Sequence, residues 1–86
     1  MKITAALVKE KGVSFAVVTV KGWALNSSER DSTVSSYRVC FPGFNIVLMS
    51  QDSNGRATFY GRQDIVQFLR NVPVHALPWK EFTFAN

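Results

Sequence analysis

Apolar residues in this chain gather into short blocks, each closed by glycine, proline, asparagine or a charged cluster. Blocks of that kind punctuate strands and short helices rather than long helices. The first two, Lys2–Val8 and Val13–Lys21, flank Lys9-Glu10-Lys11-Gly12. They predict a β-hairpin with a four-residue loop, in which Gly12 supplies the left-handed residue. A short helix over Thr4–Lys11, ended by Gly12, is the competing reading that the alanines and Leu7 support. Val13-Ser14-Phe15-Ala16-Val17-Val18-Thr19-Val20 is β-branched and apolar on both faces, the composition of a central strand.

The stretch from Gly22 to Phe44 is the least patterned. A structureless loop of that length inside a compact domain is rare, which implies a helix within it. Asn26-Ser27-Ser28-Glu29 has the form of an N-cap with an acidic residue three positions on. The helix that follows, over Arg30–Arg38, offers only Val34 and Tyr37 as a buried stripe. Serines 27, 28, 32, 35 and 36 weaken it further. A marginal, mostly exposed crossover helix is the expectation.

Beyond it the pattern sharpens. Phe41-Pro42-Gly43-Phe44 reads as a turn, with proline presetting φ and glycine accepting a positive one. Ile46-Val47-Leu48-Met49 is a second central strand, and Asp52-Ser53-Asn54-Gly55 turns it back. In the returning strand, Ala57 and Phe59 share one side while Arg56, Thr58 and Tyr60 share the other. Gly61 separates this strand from a helix near Gln63–Arg70, whose buried stripe is Ile65, Val66, Phe68 and Leu69. Asp64 and Arg70 sit at the ends that suit the helix dipole. Asn71 and Pro73 close the helix, and Trp79–Phe84 alternates as a last strand.

The resulting order, β-β-α-β-β-α-β, is that of an α+β fold. It predicts a single mixed or antiparallel sheet of about five strands, with two helices on one face. After the opening strand the order resembles the β-α-β-β-α-β of ferredoxin-like domains. The segment Asn45–Leu69 also resembles the strand–strand–helix end of thioredoxin-like proteins, in which a glycine likewise follows the second strand. The chain departs from that family in having no C-x-x-C motif. It also has Asn45 where the family places a cis proline, so only a reduced thioredoxin-like arrangement is implied. Neither resemblance carries a function.

Length and composition set the class. The 86 residues form one expected domain, 1–86, of ordinary globular make-up: 47% hydrophobic, 19% charged and 13% aromatic. A chain this long buries roughly 60–65% of its unfolded surface, enough for one core. A lone cysteine, Cys40, argues against a disulfide scaffold. Lys9-Glu10-Lys11 interrupts any leader-like apolar run, and no block is long enough to span a bilayer. A cytoplasmic setting without membrane contact is expected.

Candidate chemistry is sparse. Cys40 and His75 are each the only residue of their type, with no motif around either. Two N or S donors cannot build a structural zinc site, and no glycine-rich phosphate loop is present. Position twelve counted from Asp52 is Gln63, so the Asp52–Asn54 turn is not a calcium loop. No cofactor and no catalysis are expected. The net charge of +4 permits an acidic partner without demanding one, because the basic residues are scattered. Two features stand above this background. Tyr60-Gly61-Arg62 leads into a helix N-terminus and could hold an anion, although Asp64 competes for that place. An open sheet face carrying Arg56, Tyr60, Lys80, Phe82 and Phe84 could bind a partner.

The expected function is therefore a non-catalytic binding module, protein-binding or self-associating as a homodimer, with Trp79, Phe82 and Phe84 as its interaction surface. The alternative is nucleic-acid binding through Arg56, Tyr60, Arg62 and Lys80, by phosphate neutralisation and base stacking. An enzyme is the third and weakest reading.

Overall fold

A computed structural model describes residues 2–84. The hairpin expectation holds over the short-helix alternative: β1 spans Lys2–Glu10 and β2 spans Val13–Thr19. The loop is shorter than the four residues expected. Glu10 pairs with Val13, so only Lys11 and Gly12 form the tip, at φ 51° and 80°. Two successive positive φ values make a type I′ turn, whose twist matches that of the strands it joins. Pairing can therefore run on through the polar Lys9 and Glu10.

After β2 the chain makes one helical turn, α1 (Gly22–Leu25), and then the longer α2 (Arg30–Cys40). The expected cap at Asn26 does not form, because Asn26 closes α1 instead. The Ser27 hydroxyl accepts from the Glu29 N–H, which shapes the link between the helices. Within α2, the Thr33 and Ser36 hydroxyls donate back to the carbonyls of Glu29 and Ser32. Such back-bonding satisfies the hydroxyls at a slight cost to the helix. Pro42-Gly43 turns the chain, with Gly43 at φ 85°. It enters β3 (Asn45–Gln51), and the Asn45 side chain donates to the Ser14 carbonyl on β2.

β4 (Ala57–Tyr60) returns antiparallel after a loop in which the Asp52 carboxylate accepts from the N–H groups of Asn54 and Arg56. α3 (Gln63–Arg70) follows, then a 3₁₀ turn (Val74–Ala76), then β5 (Trp79–Thr83). The five strands form one mixed sheet in the order β4-β3-β2-β1-β5, with β2 and β3 parallel and every other pair antiparallel. The α+β class and the strand count are as expected.

The helices do not share one face. On one side Ala5, Ala16, Val18, Ile46 and Leu48 pack with Leu25, Val34 and Phe41 of the α1–α2 segment. On the other, Ala6, Phe15, Val17, Val47 and Met49 pack with Ile65, Val66 and Leu69 of α3. The cause is the composition of β2 and β3. Val17 and Val47 on one face, and Val18 and Leu48 on the other, are all fully buried. Strands apolar on both faces need cover on both.

Candidate interaction surfaces

The two-sided cover decides where the predicted site residues lie. Tyr60 ends β4 and points to the α2 side, where it joins the packing around Ile46 and Leu48. Its hydroxyl donates to the Asp31 carboxylate, and the Arg30 guanidinium sits over its ring at 4.3 Å from the centroid. The bond to Asp31, followed by desolvation, raises the phenol above its ordinary ionisation range, with Arg30 opposing. Tyr60 thus ties an edge strand to the crossover helix, which occupies its hydroxyl and one face of its ring.

Gly61 comes next because the backbone there has no room for a side chain. A Cβ would lie 3.0 Å from Val47 Cγ2 and 3.2 Å from both the Ile46 carbonyl oxygen and Val47 Cα. Close approach, not a positive φ, is what this glycine serves. Arg62 then turns its guanidinium onto Asp64, with Nε and one terminal nitrogen each 2.8 Å from a carboxylate oxygen. This fork lowers the Asp64 pKa and raises that of Arg62. The N–H groups of Ile65 and of Asp64 itself add to the effect on Asp64. The positive end of α3 is therefore served by an internal carboxylate, as the position of Asp64 implies.

Between these elements runs a groove of about 460 Å³ that Asp31, Arg38, Asn45, Tyr60 and Arg62 help to line. Of its two guanidinium groups only that of Arg38, on α2, lacks an ion pair among the described residues. Arg38 was not singled out from the sequence, where it reads as one more exposed basic residue at a helix end.

The other predicted residues lie elsewhere. Arg56 is in the exposed β3–β4 loop, and Lys80 is on β5. Since β4 and β5 are opposite edges, four strand spacings, about 19 Å, separate Lys80 from Tyr60 across the sheet. Arg56, Tyr60, Arg62 and Lys80 do not share one open face, because α2 and α3 cover both faces near β4.

The aromatic residues of β5, with Phe84 just beyond its end, divide between the two faces. Trp79 belongs to the α3 side, packs there half-buried, and donates its indole N–H to the Val74 carbonyl at 2.7 Å. It anchors the 3₁₀ turn. Phe82 and Phe84 belong to the α2 side. α1 and α2 have β3 as their principal strand neighbour. Over the β1–β5 flank, cover comes from side chains: Phe41 meets Phe82 edge-on at 5.2 Å and Phe84 at 5.6 Å, while Phe82 stacks near Phe84. Phe41 is buried, but Phe82 and Phe84 are only half-buried, and Lys80 Nζ lies 5.8 Å from the Phe82 ring centroid.

Cys40 ends α2 and is half-buried on the α2 side. His75 is exposed in the 3₁₀ turn, whose Val74 packs on the α3 side, so the sheet lies between thiol and imidazole. Among the described residues no three His, Cys, Asp or Glu side chains gather as metal ligands. No helix there is long and apolar enough to cross a membrane. No protein-family model, curated protein or solved structure matches this chain.

Proposed function

We propose that this chain is a non-catalytic interaction module that self-associates through the β5 edge. The observation that carries the reading is an unpaired edge strand beside a half-exposed aromatic cluster, on the flank of the sheet that neither α1 nor α2 takes as its main neighbour. An edge of this kind presents unpaired backbone N–H and C=O groups to a second strand.

Charge narrows the register, and aromatic contact favours one choice. In a two-fold antiparallel pair of β5 strands, the residue on the axis faces its own copy. Lys80 or Glu81 on the axis would oppose two like charges, which is unfavourable. Phe82 on the axis places ring against ring, sets Lys80 opposite the Phe84 ring of the second copy, and sets Glu81 opposite Thr83. Both contacts on the aromatic side are favourable ones. The joined sheet would contain ten strands, twice the five of one copy.

Sedimentation velocity over a wide concentration range tests this reading. A mass that rises from monomer to dimer is expected; a constant monomer mass overturns it. Thr83→Glu then tests the register, because it sets glutamates opposite Glu81 of the second copy while facing Lys2 of its own chain. Weaker association is expected, and unchanged association overturns this register. Thr83 is exposed, so the substitution leaves the core of the monomer in place.

A further inference from the structure

A shallow, solvent-open cavity of about 560 Å³ lies beside the C-terminal end of β2, between the start of α1 and the face of α2. Its volume is that of a small-molecule site, and clefts at the carboxyl ends of parallel strands are frequent ligand positions. Four of its lining groups are unusual. Trp23 stands 71% exposed at the wall, one of two large apolar side chains left in solvent among the described residues. Lys21 and Glu29 line the same cavity, and neither has an ion-pair partner among the described residues. The Tyr37 hydroxyl makes no hydrogen bond among the described residues; the residue is half-buried, and burial helps keep the phenol protonated.

These groups discriminate among ligand classes. An apolar molecule would bury the Tyr37 hydroxyl, the ammonium and the carboxylate without partners, which is costly. A phosphate-bearing ligand would gain Lys21 but meet the repulsion of Glu29. A neutral polyhydroxylated ring suits all four groups. Its C–H face lies against the indole, its hydroxyls donate to the Glu29 carboxylate, and its oxygens accept from Lys21 and Tyr37. Ser27 adds a hydroxyl whose oxygen accepts from the Glu29 N–H, leaving its proton available.

We infer that the cavity between the β2–α1 turn and α2 is a binding site for a neutral saccharide, with Trp23 as the stacking platform and Lys21, Glu29 and Tyr37 as its hydrogen-bonding groups. The site is separate from the β5 edge, so it stands or falls independently of self-association.

The test is NMR titration of isotope-labelled protein with cellotriose, maltotriose and chitotriose at millimolar concentration, and with adenosine monophosphate alongside. The Trp23 indole N–H is the reporter, and Trp79, whose N–H is bonded to Val74, is the internal control. Saturable movement of the Trp23 signal with at least one trisaccharide is expected, while the Trp79 signal stays still. Trp23→Ala, followed through the Tyr37 and Lys21 amides, and Tyr37→Phe should each weaken binding about tenfold. Because Trp23 is exposed, its removal spares the fold. No movement with any of the three sugars overturns the inference, and so does movement with the nucleotide alone.

Discussion

The Tyr60 hydroxyl at the end of edge strand β4 donates to the Asp31 carboxylate at the start of α2, across a separation of 29 residues. It is one of few side-chain bonds between elements distant in sequence, and it makes the position of α2 depend on β4. Its titration is accessible because the chain has only two tyrosines. Tyr60 is raised by its bond to Asp31, and Tyr37 by burial, with Cys40 adding to it. A group raised in the folded state contributes stability below its unfolded pKa, and that contribution is lost as pH rises through the folded value. Ultraviolet titration should therefore show both phenols ionising later than free tyrosine. In a Tyr37→Phe background, Asp31→Asn should bring the Tyr60 transition back towards the free value. No change on that substitution would show that the bond does not form in solution.

The Arg62–Asp64 fork has the opposite sign. Asp64 is lowered, first by its bond to Arg62, so its contribution is present above the unfolded carboxylate range and lost as pH falls through the folded value. Both groups are exposed, so the effect is small and sensitive to salt. Denaturant midpoints measured from neutral to acid pH should fall less steeply in Asp64→Asn than in the parent. High salt should narrow the difference, whereas parallel curves at low salt would count against the pairing.

Much of the backbone was legible because local rules and packing agree along it. The stripe Ile65, Val66, Phe68 and Leu69 is helical in period; three of the four are buried in α3, and Phe68 is half-buried. Side-chain parity in β4 was also readable: Phe59 and Tyr60 do lie on opposite faces. What covers each face was not readable, since that depends on which strands neighbour one another. The expected open face failed on that point. β2 and β3 are adjacent, apolar on both sides, and flanked by a helix on each. The corner around Tyr60 had a partial signal in Tyr60-Gly61-Arg62, but Asp31 and Arg30 come from a distant, serine-rich helix with no motif. Trp23 carried no signal, because a single tryptophan after a glycine reads equally well as core.

Gly61 should be the least replaceable glycine outside the turns. Ala at this position pushes Cβ into the backbone of β3 as well as into the Val47 methyl. Overpacking of this kind costs about 1–3 kcal/mol. Gly55 is the comparison: it sits at φ 80° with nothing within 4 Å of a Cβ, so alanine there meets conformational strain alone. The two mechanisms part in a double-mutant cycle with Val47→Ala. Removing the Val47 methyls should recover part of the Gly61→Ala loss and none of the Gly55→Ala loss. Strict additivity at Gly61 would mean that the contact with Val47 Cγ2 is not what forbids a side chain.

The two long helices should differ in how readily they open. α3 buries Ile65, Val66 and Leu69 against β2 and β3, and Phe68 meets Phe15 edge-on at 6.0 Å. α2 is longer, yet Val34 is its only buried residue, and its hydroxyl-rich sequence has low intrinsic helicity. Local opening free energy follows buried apolar contact. Amide exchange should accordingly be faster across 30–37 than across 65–70. Asp31→Asn should speed exchange in α2, because it weakens the tie to Tyr60, and leave α3 unchanged. Leu69→Ala, which empties a site only 1% exposed, should cost about 2–5 kcal/mol and raise exchange throughout the sheet. Equal protection of the two helices in the parent protein would mean that they open only with the whole fold, and that the Tyr60–Asp31 bond has no separate unit to hold.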